Sequence, residues 1–188
     1  MQDAVRLMLM YAIVPLWVLA GLGDWWCHRR AGIERNAGIF ESAMHSLMMI
    51  EVGVPVLLAL FLEINALQFA IMLIAIAVHA VTAWVDVAYA STRREIRPVE
   101  QHMHSLLEVL PLTAVTLVAS AYWPQVLALF GMGCVDPDFS FRLKENPLPS
   151  SYVSSLIIGL ILFVAAPYME ELIRCARASH MRRRASGR

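Results

Sequence analysis

Residues 97–108, Arg-Pro-Val-Glu-Gln-His-Met-His-Ser-Leu-Leu-Glu, open an otherwise apolar stretch with a crowd of ionisable side chains. Glu100, His104 and Glu108 recur at i, i+4 and i+8, so they climb one side of a helix. Three further segments carry the same device: Asp24 with His28, Glu41 with His45, and His79 with Asp86. Carboxylates and imidazoles at helical spacing are metal-ligand chemistry. Mixed nitrogen and oxygen donors without thiolate suit iron, manganese or zinc, whereas calcium and magnesium leave the histidines unexplained. The expected ligands are Asp24, His28, Glu41, His45, His79, Asp86, Glu100 and His104. That inventory exceeds the needs of one ion and points to two, iron first, with zinc or manganese as alternatives. In helical-bundle di-iron and di-manganese proteins, carboxylates bridge the ions and imidazoles cap them. Glu51 and Glu108 are expected to act in catalysis, tuning ligands or carrying protons. His102 is turned about 160° from His104 and reads as peripheral. Cys27, Cys134 and Cys175 are scattered and spell neither a disulfide framework nor a CxxC knuckle.

The elements that must position these groups follow from composition. The chain has 188 residues, 59% hydrophobic and 16% charged, with mean hydropathy +0.62. Soluble domains are about half apolar and about a quarter charged, so this reads as an all-α integral membrane protein. Apolar stretches at 4–26, 40–62, 66–90, 99–122 and 152–173 each suit a hydrocarbon core of ~30 Å. They lack the alternation of a membrane barrel, and lipid tolerates only helices otherwise. The expected architecture is one transmembrane domain over 1–173 with five helices, four of them forming the metal-binding bundle. A basic, frayed tail over 174–188 follows. Residues 123–151 read as a long loop with one short helix at 125–130. Pro55 is placed to kink the second span. The first stretch lacks a basic n-region before it and reads as a retained span, not a cleaved signal.

Twelve of the fifteen Lys and Arg residues fall on one side of this topology. The positive-inside rule then puts the N-terminus outside and the C-terminus in the cytoplasm. Arg93, Arg94 and Arg97 read as topology anchors, with anionic headgroups as an alternative partner. All four acid/His clusters then lie toward the cytoplasmic end. His28, Glu41 and Glu100 fall nearest the interface, and Asp24, His45, Asp86 and His104 about one turn deeper, ~6 Å. Glu51, His79 and Glu108 fall deeper again. One such pair could merely pin two helices together; four at one membrane face favour a metal site.

The leading expectation is a di-metal, oxygen-activating di-iron oxidoreductase acting on a lipidic or other apolar substrate from the bilayer. No flavin, nicotinamide or iron–sulfur motif is present, so electrons are expected from a separate cytoplasmic donor. Nucleic acid is not an expected partner, and a homo-oligomer is compatible with the pattern. One alternative is a zinc-dependent lipid hydrolase with Glu51 or Glu108 as general base. Another is a metal transporter, or a haem protein using His45 and His104. Glu170-Glu171-Leu172-Ile173-Arg174 is one residue short of the Glu-Glu-x-x-x-Arg motif of membrane prenyl-protease relatives and is assigned no role.

Residues 23–29, Gly-Asp-Trp-Trp-Cys-His-Arg, and 93–105, Arg-Arg-Glu-Ile-Arg-Pro-Val-Glu-Gln-His-Met-His-Ser, carry a resemblance. Over roughly 20–112 the chain resembles a family of small bacterial inner-membrane proteins without an established activity, which implies a multi-pass protein of that membrane. More loosely, the arrangement is similar to integral-membrane di-iron desaturases and hydroxylases, whose ligands lie at the cytoplasmic ends of transmembrane helices. Those enzymes use HxxxH and HxxHH boxes, and this chain has carboxylates instead.

Overall fold

Each apolar stretch ends where its backbone can no longer continue a helix. Gly32 closes the first in the left-handed conformation at φ 63°, its N–H donated to the His28 carbonyl, a geometry glycine adopts without steric cost. Leu62 turns extended after the second. Asn65 caps the third by accepting from the Gln68 N–H at 3.1 Å, as a short polar side chain does. Pro98 opens the fourth at its first turn, where its missing N–H costs nothing. In the computed structural model, which describes residues 2–186, the result is α1 (Gln2–Ala31), α2 (Ile39–Phe61), α3 (Ala66–Ser91), α4 (Pro98–Ala121), α5 (Trp123–Leu129) and α6 (Ser150–Ala185). All but the short α5 are long and apolar enough to cross a membrane. No strand occurs among the described residues, only an isolated bridge between Leu62 and Leu143.

The helices pack α2 on α3, α1 on α4, and α6 on α2. Gly23 permits the α1–α4 approach, because a Cβ there would fall 2.7 Å from Met103 Sδ. The bundle wears its apolar residues outside: on α3 alone, Ile74, Val81 and Trp84 are exposed. Water would penalise that surface and hydrocarbon does not. Inside, the two halves differ. The half away from the basic linkers holds an apolar cluster of Ile64, Phe69 and Met72, covered by Val115, Val118 and Leu129. The half next to the basic linkers buries Asp24, His28, Glu41, His45, Asp86, Glu100 and Glu171.

Three expectations are corrected. The first span extends past residue 26 to Ala31, so Asp24 and His28 lie well inside a helix. The last helix does not stop at 173: it continues to Ala185, and 187–188 lie outside the described residues. That continuation is docked rather than frayed. Arg174 pairs with Glu34, and Arg182 donates to the Glu34 and Arg35 carbonyls at 2.7 and 3.0 Å. Pro55 and Pro111 stay inside α2 and α4 without ending either helix.

The long connection after α5 folds back onto the α2–α3 turn. Lys144 N–H donates to the Phe61 carbonyl at 2.9 Å, and Glu63 N–H to the Arg142 carbonyl at 2.9 Å. Asn65 Nδ2 donates to the Ser140 carbonyl at 2.9 Å, so one side chain both caps α3 and ties down the loop. Asn65→Ala is expected to lower stability by about 1–2 kcal/mol in detergent thermal unfolding. Asn65→Asp should recover the cap and not the loop bond.

Candidate metal centre

Four helices were expected to supply this site, and the structure brings five. From α1 come Asp24 and His28, from α2 Glu41 and His45, from α3 Asp86, from α4 Glu100 and His104, and from α6 Glu171. All except His104 are at most 4% exposed, and the His104 side chain is 12% exposed.

The same-helix pairs that suggested the site mostly do not pair with each other. Only Asp24 and His28 stay close, with Oδ2 3.5 Å from Nε2. His28 Nε2 also lies 3.3 Å from Glu100 Oε1. His45 Nε2 lies 3.2 Å from Asp86 Oδ2, contributed by a different helix. His104 sits between two carboxylates, 3.9 Å from both Asp24 Oδ1 and Asp86 Oδ2, beyond hydrogen-bond reach. Helical spacing puts two side chains on one face; the neighbouring helices decide what that face meets.

Glu171 organises the histidines. Its Oε1 is 2.8 Å from His45 Nδ1 and its Oε2 is 3.2 Å from His28 Nδ1. The two rings stack 4.2 Å apart at 7°. Glu171 shares its buried face with Val164, Tyr168 and Cys175 at helical spacing. That stripe, together with the span's end on the basic side, was the available signal for Glu171. A π-helical turn over Ile161–Ala165 precedes it.

Arg94 corrects a second reading, because it is no simple topology anchor. Its side chain is 5% exposed. Its guanidinium donates from Nε to Glu41 at 3.2 Å and from Nη1 to Glu100 at 2.9 Å, while Nη2 reaches both carboxylates. Burial pushes the Arg94 pKa down, but the hydrogen bonds to Glu100 and Glu41 outweigh it and hold the pKa above the ordinary arginine value. Arg93 instead lies over the Tyr89 ring at 5.0 Å.

His79, expected as a ligand, is not drawn into this cluster. It lies with Glu51 deeper in the bundle, Nδ1 3.4 Å from Glu51 Oε2, and Thr82 Oγ1 donates to Glu51 Oε1 at 2.7 Å. Glu108 is exposed. His79 and Glu108 nevertheless line a cavity of about 30 Å³ with Asp24, His45, His104 and Tyr168, room for a single water. His102 is exposed, as its angle on the helix implied.

Two sets of ligand atoms converge to within 4.8 Å of one another: Asp24, His28 and His45, and His28, Glu41 and Glu100. Neither contains a cysteine. Asp24 Oδ1, Asp86 Oδ1 and His104 Nε2 are buried with no hydrogen-bond partner, and such atoms are costly in a dry interior unless something satisfies them. Asp24, Glu41, Asp86, Glu100 and Glu171 bring five carboxylates against the single Arg94 guanidinium. With neutral histidines, four negative charges remain, the charge of two divalent ions. The close ring stack and small cavity give a porphyrin no room among these side chains.

Comparison with protein-family models, characterised proteins and solved structures found no match for this chain. The chemistry of the site therefore has to come from its own atoms.

Removing the guanidinium would leave Glu41 and Glu100 facing each other. Arg94→Ala should destabilise the metal-free protein by about 3–5 kcal/mol in detergent thermal unfolding. Arg94→Lys keeps the charge but loses the fork, and should fall between Arg94→Ala and the unaltered chain.

Proposed function

We propose that the bundle is a membrane metalloprotein with a two-ion carboxylate–histidine centre. We further propose that this centre, loaded with iron, oxidises an apolar molecule drawn from the bilayer. The observation that carries the reading is Glu171 held against Nδ1 of both His28 and His45. A neutral imidazole has one N–H and one lone pair. Donating both Nδ1–H groups to Glu171 leaves both Nε2 lone pairs free. Those lone pairs face carboxylate oxygens of Asp24 and Glu100, and of Asp86. A lone pair against a carboxylate is repulsive unless a cation lies between them. A carboxylate that fixes the tautomer of a metal-binding histidine is the usual supporting arrangement.

In this reading His28, Glu41 and Glu100 would hold one ion, and Asp24 with His45 would hold the other, with Asp86 and His104 beside them. Arg94 limits the negative charge at the first position, and Tyr168 and Val164 close the wall beside His45. Nitrogen and oxygen donors without thiolate suit iron or manganese. Bound iron would supply oxygen-dependent redox chemistry, and Glu108, lining the cavity beside His104, is placed to move protons. With the basic linkers in the cytoplasm, the centre faces that side of a bacterial inner membrane and takes electrons from a separate donor there.

Elemental analysis of detergent-purified protein from iron-replete cells is expected to give about two iron ions per chain, the stoichiometry of bundle carboxylate sites. Asp24→Ala and Glu100→Ala should each lose metal. Glu171→Gln removes one of two acceptors and should weaken metal affinity about 10- to 100-fold while the fold survives. Zinc retained in preference to iron would overturn the redox assignment and leave the two-ion centre standing. Absence of bound metal under every growth condition would overturn both.

A further inference from the structure

A larger cavity lies in the other half of the bundle, away from the basic linkers, with a volume of about 480 Å³. That is within the roughly 300–1,000 Å³ of small-molecule sites. It exists because small or ring-closed residues face one another there: Pro55 and Ala59 on α2, Ala75 on α3, Pro111 and Ala114 on α4. None carries a side chain long enough to fill the middle. The cavity is elongated. It runs along α2 from Glu51 to Leu60, about 14 Å at helical rise, and reaches Glu63, Arg6 and Lys144 at the loop end.

Its inner end is not apolar. The Glu51 side chain is 7% exposed. Oε1 accepts from Thr82, and Oε2, 3.4 Å from His79 Nδ1, makes no well-aligned hydrogen bond. A buried carboxylate oxygen at the end of an apolar cavity is a strong acceptor awaiting a donor. His79 stands behind it and lines the small cavity shared with Asp24, His45 and His104.

We propose that this cavity binds a chain-like apolar molecule whose inner end donates a hydroxyl to Glu51 Oε2, the chain running out toward the charged loop end. Fatty and isoprenoid alcohols share this chemistry. The hydroxyl then lies one carboxylate and one imidazole away from the candidate ligands. That consequence, substrate delivery to the centre, rests on the metal reading. The binding itself does not.

The test uses the full chain in nanodiscs, with hexadecanol and the isoprenoid alcohol farnesol as probes and their methyl ethers as controls. The ethers keep the chain and lose the donor. The protein should prefer alcohol over ether by about ten- to a hundredfold, and the stronger of the two alcohols identifies the chain type. Glu51→Leu should erase that preference while metal content stays unchanged. Ala75→Phe, which fills the cavity, should lose alcohol and ether alike. Equal binding of alcohol and ether by the unaltered chain would overturn the proposal. A preference surviving Glu51→Leu would overturn it as well. The ligand comparison needs no variant to fold, and metal content measured alongside separates failure here from failure of the metal centre.

Discussion

Five buried carboxylates, only two of them paired with a guanidinium, are the constraint on which the rest of this structure depends. An isolated charge in a low-dielectric interior is among the most expensive things a protein can hold. Two responses are available. The histidines can take up protons, making Asp24, Asp86 and Glu171 counter-ions of imidazolium, or divalent cations can sit among the ligands. Three protonated histidines still leave one negative charge, and they put His28 and His45, stacked at 4.2 Å, in like-charge repulsion. Two divalent ions would cancel the charge and would turn that contact into two neighbouring imidazole ligands. They would also give partners to Asp24 Oδ1, Asp86 Oδ1 and His104 Nε2, which have none otherwise.

The sequence disclosed the depth of these groups better than their partners. Helical rise and the distribution of arginines put His28 level with Glu100, and Asp24 level with His45, Asp86 and His104, and those residues do converge. The i, i+4 spacing suggested that Glu41 belongs with His45 and Glu100 with His104, yet both carboxylates turn to Arg94. Spacing fixes a face and a height, not the helix packed against that face. Arg94 was misread because an arginine at the end of a span satisfies the positive-inside pattern wherever its side chain goes. Burial, which no pattern reports, separates it from Arg93. Glu171 is hidden in the sequence because the spacing of Glu170 and Arg174 resembles a motif, whereas the burial of its stripe with Val164, Tyr168 and Cys175 shows only in the packed helix. His79 shows the reverse error. It has the right residue type and the right membrane end, but it sits too deep to join the cluster and settles against Glu51.

The bundle divides its work by halves. Near the basic linkers, charged groups replace a hydrophobic core, and their mutual contacts draw five helices to one point. In the other half, apolar packing around Ile64, Phe69 and Met72 and the docked loop hold the helices together. This division explains why the helix ends and the 32–38 linker at the polar end are pinned so firmly. Arg29 and Trp25 meet Glu170 at 2.7 and 3.1 Å, and Arg174 meets Glu34. A site whose helices repel one another without cations needs fastening from outside.

Glu171 shows why the fifth helix is indispensable to such a site. Helices α1 and α2 supply the imidazoles of His28 and His45, which could each adopt either tautomer, and a wrong tautomer would aim an N–H at an ion. One carboxylate shared by two Nδ1 atoms settles both rings together, since each must donate to it. It does so from α6, the helix that also closes the wall with Tyr168 and continues on to grip the 32–38 linker through Arg174 and Arg182. The orientation of the histidines and the docking of the basic extension are therefore set by a single helix. A shift of α6 along its axis would disturb the linker contacts and the ligand geometry at once.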